Sequence, residues 1–259
     1  MKTSNPIRGG LTAAVVLGTL ACTSSAVGPA DDDTSDDGPI TASGIDLNLV
    51  TSQFATSIEI SNDGDVVVFR SDGVPDHPSP YFAATDDRYE AYNGSNSSFH
   101  LNPNRIAERT ATYRIPRYPV EAANKSATPL GAIGIAVNGV AIFNQYAGPN
   151  QPLTFEIDSF DQYNGHPQQT GVYHYHIQPL GITGEVGVDA LIGVLLDGFP
   201  LYGPYEGGDL VTNADLDAYH GHTAATSDFP DGVYHYHVTS QDPYINGAGF
   251  FGVAGSVGG

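Results

Sequence analysis

The segment Ile133-Gly-Ile-Ala-Val-Asn138-Gly139-Val-Ala-Ile-Phe143 recurs in the same pattern as Ile192-Gly-Val-Leu-Leu-Asp197-Gly198-Phe-Pro-Leu-Tyr202. Asn-Gly or Asp-Gly between two apolar runs is the preferred two-residue type I′ turn, so each copy predicts a β-hairpin. Downstream, Asp161-Gln-Tyr-Asn-Gly-His166 and Tyr173-His-Tyr-His176 recur as Asp217-Ala-Tyr-His-Gly-His222 and Tyr234-His-Tyr-His237. The offset between copies is 59 residues at the hairpins, 56 at the Gly-His segments and 61 at the Tyr-His-Tyr-His runs. Loop insertions account for such small drifts. The chain therefore contains a duplicated unit, about 131–178 and 190–239, and two such units are expected to pack as similar β substructures about a pseudo-two-fold axis.

The rest of the sequence points the same way. Thr56–Ile60, Asp65–Phe69, Thr110–Ile115 and Leu153–Ile157 read as further strands, mostly bounded by Gly, Pro, Asn or Asp, and helical periodicity is nearly absent. Residues 45–259 are expected to form one all-β domain, a β-sandwich or a barrel-like fold, with 45–130 completing the sheets around the repeats.

Seven of the nine histidines lie in the two repeats. Successive strand side chains point to opposite faces, so His174 and His176, like His235 and His237, share a face about 6.6–6.8 Å apart along the strand. The intervening tyrosines point the other way, where their rings pack and their hydroxyls need partners. His166 and His222, each following a glycine, are the third imidazole of each copy. Three neutral imidazoles with an open position suit Zn²⁺ or Cu²⁺. Asp161 and Asp217 are candidates for fixing the tautomer of a ligating histidine, or alternatively for capping a turn. His77, between two prolines, is a candidate extra ligand, whereas His220 and His100 read as ordinary loop residues. One shared four-imidazole site on the pseudo-axis and two separate sites are both compatible with the repeats. Closure of a duplicated unit around its axis tips the expectation towards the shared site.

The N-terminal residues carry Lys2 and Arg8, an apolar run Leu11–Leu20, and then Ala21-Cys22. The run is too short for a membrane span and reads as a secretory signal over 1–22. Cys22, the single cysteine, sits where a bacterial lipobox places its lipidated residue, although Thr19 stands where such boxes usually have Leu. Residues 23–44, with the acidic run Asp31–Asp37, read as a disordered tether. The expected product is exported and reaches a membrane, periplasmic or at the cell surface, only through a lipid anchor; ordinary cleavage nearby, with Cys22 lost or incidental, gives a secreted protein as the alternative. A formal charge of −20 argues against nucleic-acid partners.

Gly73-Val-Pro-Asp-His-Pro78, the two hairpins and the Gly-His and Tyr-His-Tyr-His segments together resemble the YHYH-domain family of exported bacterial proteins, over roughly residues 60–252. The resemblance gives weight to His174, His176 and His77 and implies no particular activity. The residues themselves support a metal-binding protein holding one or two Cu or Zn ions for sequestration, delivery or structural stability. A metalloenzyme, either a copper oxidoreductase or a zinc hydrolase, is the alternative, with Asp161, Asp217, Glu185 or Glu206 as its base. A cell-surface recognition module with a structural metal is the third. The chain contains no Gly-x-Ser-x-Gly, Walker loop, dinucleotide fingerprint or His-Glu-x-x-His.

Overall fold

A computed structural model describes residues 45–259. The expected signal, lipobox cysteine and tether lie outside the described residues. No helix among the described residues is long and apolar enough to cross a membrane. The fold is all-β, as the sequence predicts.

The first strands are β1 Glu59–Asp63, β2 Val66–Ser71, β3 Ala111–Pro116 and β4 Glu121–Ser126. The first repeat then supplies β5 Ala132–Ala136, β6 Ala141–Phe143, β7 Tyr146–Ala147, β8 Gln151–Pro152, β9 Gly165–Pro167 and β10 Tyr173–Tyr175. After a short helix α1, Leu180–Val186, the second repeat supplies the same six elements. They are β11 Leu191–Leu195, β12 Pro200–Tyr202, β13 Tyr205–Glu206, β14 Asp209–Leu210, β15 Gly221–Ala224 and β16 Val233–His237. Strands β17 Phe250–Gly252 and β18 Ser256–Gly258 complete the chain.

The repeats build one eight-stranded sheet in the order β15-β16-β12-β11-β5-β6-β10-β9, which reads the same from either edge once the repeats are exchanged. At its centre β11 and β5 pair antiparallel with Val194 opposite Ile135, and these are equivalent residues of the two copies. The pseudo-two-fold axis therefore passes between them. Outward from the centre, each hairpin is followed by its histidine strand in parallel pairing, β6 with β10 and β12 with β16. A second sheet, β1-β2-β3-β18, is antiparallel. Its Val67, Phe69, Tyr113 and Ile115 join Ile133, Ile135, Ile192 and Val194 in one buried core. Each such side chain contributes roughly 1.5–3 kcal/mol of burial.

Three local expectations are corrected. Thr56–Ile60 is a strand only from Glu59 onward, with Thr56, Ser57 and Ile58 in a turn. Leu153–Ile157 is not a strand: it forms turns leading into a 3₁₀ helix, Ile157–Ser159, in which only Leu153 of the five residues is buried. The hairpin loops have three residues rather than two, since Ala136 N–H donates to Val140 and Leu195 N–H to Phe199. Only Gly139 and Gly198 of these loops take positive φ, at 88° and 86°. Asn138 and Asp197 thereby keep ordinary backbone conformations, and their side chains reach a tyrosine of the same repeat's histidine strand. Asn138 donates to Tyr175 Oη at 3.1 Å, and Asp197 accepts from Tyr236 at 2.6 Å.

Candidate metal centres

In each repeat the third histidine stands directly across the sheet ladder from the first histidine of the strand. His166 pairs with His174, and His222 with His235. Directly opposite residues on adjacent strands project to one face, and His176 or His237 joins them two residues further along. Each Gly-His turn places its histidine by close approach as well as by bending. A side chain at Gly165 or Gly221 would collide with the ring of Tyr173 or Tyr234. The positive φ of the turn falls one residue earlier, on Asn164 at 66° and His220 at 75°.

The imidazoles converge through Nε2. In the first repeat His174 Nε2 lies 3.1 Å from His166 Nε2 and 3.0 Å from His176 Nε2. In the second, His235 Nε2 lies 3.2 Å from His222 Nε2 and 3.0 Å from His237 Nε2. All six rings except that of His222 are almost completely buried. Burial pulls His166 down to about 3 and His176, His235 and His237 down to about 4, and it holds His174 well below its ordinary range. These rings are therefore neutral at physiological pH.

A neutral imidazole carries one N–H, and a carbonyl oxygen can only accept. His174 Nδ1 faces Val172 O at 3.1 Å and His176 Nδ1 faces Asn144 O at 2.5 Å. In the second repeat His235 Nδ1 faces Val233 O at 2.9 Å and His237 Nδ1 faces Gly203 O at 2.7 Å. His166 Nδ1 lies 2.7 Å from Ser159 Oγ, whose own proton goes to the Glu156 carbonyl. In these five rings the proton thus sits on Nδ1, and their Nε2 atoms present bare lone pairs to the cluster. Lone pairs 3.0–3.2 Å apart repel unless a cation stands among them. Neighbouring nitrogens of a tetrahedral zinc site lie about 3.3–3.4 Å apart at the usual bond length, so the imidazoles present fit such an ion.

Each centre also has a carboxylate, which the two repeats deliver from different places. Glu206, on β13, sets Oε1 3.1 Å from His235 Nε2 and Oε2 3.3 Å from His222 Nε2. Ala147 holds the equivalent position on β7, and the first centre instead receives Glu156 from the turn before the 3₁₀ helix, with Oε1 3.8 Å from His166 Nε2. Glu156 Oε2 is buried without a hydrogen-bond partner among the described residues, and burial raises the carboxyl's pKa. Sequence reasoning passed over Glu156 because it lacks a counterpart in the other repeat.

The structure separates the two centres. Four strands stand between β10 and β16, so they lie about 24 Å apart at ordinary strand spacing. The expectation of one shared site is overturned, because the repeats meet through their hairpins and carry their histidine strands outward. Asp161 and Asp217 are not partners of the clustered histidines. They cap the Gly-His turns by accepting from Tyr163 and Tyr219 N–H, and they accept from the Tyr173 and Tyr234 hydroxyls on the opposite face. His77 joins neither cluster: its Nε2 meets Tyr175 Oη at 2.9 Å and its ring stacks on Tyr163. Glu185 lines a cleft with His77, away from both centres. His220 bonds the His237 carbonyl through Nδ1 and thereby supports the second centre's strand.

No curated protein and no solved structure matches the chain significantly. The family described as YHYH protein matches residues 112–210 and 207–249, which takes in both histidine clusters and both hairpins. The chain belongs to the YHYH family.

Proposed function

We propose that this is a transition-metal-binding protein that holds two ions, Zn²⁺ or Cu²⁺, at independent three-histidine centres. The observation that carries this reading is the tautomer assignment: backbone carbonyls fix the proton on Nδ1 of His174, His176, His235 and His237 and leave their Nε2 lone pairs convergent. Carbonyl acceptors of this kind orient metal-ligating histidines and raise their basicity. An ion at each centre ties an edge strand, β9 or β15, to its neighbour, so binding contributes directly to the stability of the fold. The reading includes export by the N-terminal signal and anchoring through Cys22, with metal retention outside the cytoplasm as the role. Elemental analysis with calorimetry on metal-free protein at neutral pH tests it, and two saturable sites per chain are expected. Absence of saturable binding of either metal would refute it.

A further inference from the structure

We propose that the two centres divide their work: the second is closed by its own carboxylate, while the first keeps an open position for an exogenous, uncharged nitrogen- or oxygen-donor ligand. This inference rests on the two-centre reading. Glu206 places one oxygen against His235 and the other against His222, and so occupies the side of the cluster not taken by imidazole. Glu156 approaches only His166, at 3.8 Å, and stands beside the first cluster rather than over it. A set of three protein ligands with the fourth place free is what distinguishes a reactive zinc site from a structural one.

The surroundings agree. The first centre adjoins a cleft of about 480 Å³ lined by Asn102, Asn104, Gln151, Gln168, Glu156 and His166 among others. Among the described residues its lining contains no lysine or arginine and no carboxylate but Glu156, so it favours neutral ligands that both donate and accept hydrogen bonds. The second centre meets a smaller cleft of about 220 Å³, and there Glu206 stands in the wall beside His235 and His237. The buried, unpartnered Oε2 of Glu156 is an acceptor awaiting a donor. A ligand with an N–H or O–H next to its coordinating atom supplies one.

Cobalt-loaded protein, titrated with pyrazole or N-methylpyrazole and followed by visible absorption, tests the proposal. Two Co²⁺ per chain are expected, with pyrazole changing the spectrum of one. That response should vanish in His174→Ala/His176→Ala and persist in His235→Ala/His237→Ala, and Glu206→Gln should make the second centre respond too. Glu156→Ala should weaken pyrazole binding about tenfold, the value of a hydrogen bond to a charged group, and leave N-methylpyrazole unchanged. Retention of two Co²⁺ in each glutamate variant certifies its fold. Two bound ions with both or neither responding, or equal losses for the two probes, would overturn this inference alone. Failure to take up Co²⁺ at all would overturn the two-centre reading and this inference with it.

Discussion

His174 Nε2 stands 3.0 Å from His176 Nε2 while the Nδ1 of each ring donates to a main-chain carbonyl, so two lone pairs face each other inside the protein. Removal of metal leaves that repulsion uncompensated at both centres. Chelation is therefore expected to lower the melting temperature, and readdition of Zn²⁺ at a thousandfold excess over its Kd should restore about 4 kcal/mol per site. Calorimetric melting with and without a chelator measures this, and an unchanged transition contradicts it.

The metal-free protein should lose stability in acid. His166, His176, His235 and His237 have folded-state pKa values depressed by burial to about 3 or 4, below the unfolded value of 6.5, and burial holds His174 well below it too. The unfolded chain thus takes up protons that the folded chain refuses, and stability present above pH 6.5 falls as the pH drops towards 4. Asp197, raised to about 6 by burial, acts in the opposite sense, as do Asp161 and Glu156, whose carboxyls burial also raises, but these three stand against five histidines. Denaturant melts across pH 4–7 should show a declining midpoint. A flat profile would contradict burial of neutral rings.

Removal of the Tyr236 hydroxyl should destabilise the fold without removing metal. Tyr236 donates to buried Asp197 and accepts from Phe251 N–H, so Tyr236→Phe strips a partner from each. A loss of about 1–3 kcal/mol is expected, the cost of leaving buried polar groups underbonded. Metal content should stay at two ions, since the tyrosine lies on the face away from the imidazoles.

Gly165→Ala should act on the site itself. The added methyl meets the Tyr173 ring, which is fully buried and cannot withdraw. Displacement of His166 should weaken binding at the first centre and leave the second untouched, as metal titration of the variant will show.

The duplicated pattern made the fold class, the paired hairpins and the two histidine strands legible, because period-two alternation and turn glycines are local signals. The location of the pseudo-axis was not. Whether His174 and His235 lie together or on opposite flanks depends on which strands meet at the centre, and that is decided by packing between Ile135 and Val194. The roles of Asp161 and Asp217 were half legible: their turn-capping bonds follow from local Asx geometry, but their tyrosine contacts arise across the sheet. Glu156 was invisible because the feature that reveals it is spatial, a carboxylate brought beside His166 by a 3₁₀ turn where a strand had been expected.

The most direct test of two independent centres is bound metal per chain in His174→Ala/His176→Ala and in His235→Ala/His237→Ala. Sites about 24 Å apart with no shared ligands act additively. Each paired variant is therefore expected to retain one ion at the wild-type affinity of the surviving centre, against two ions in the parent. Loss of both ions from either variant would contradict the account.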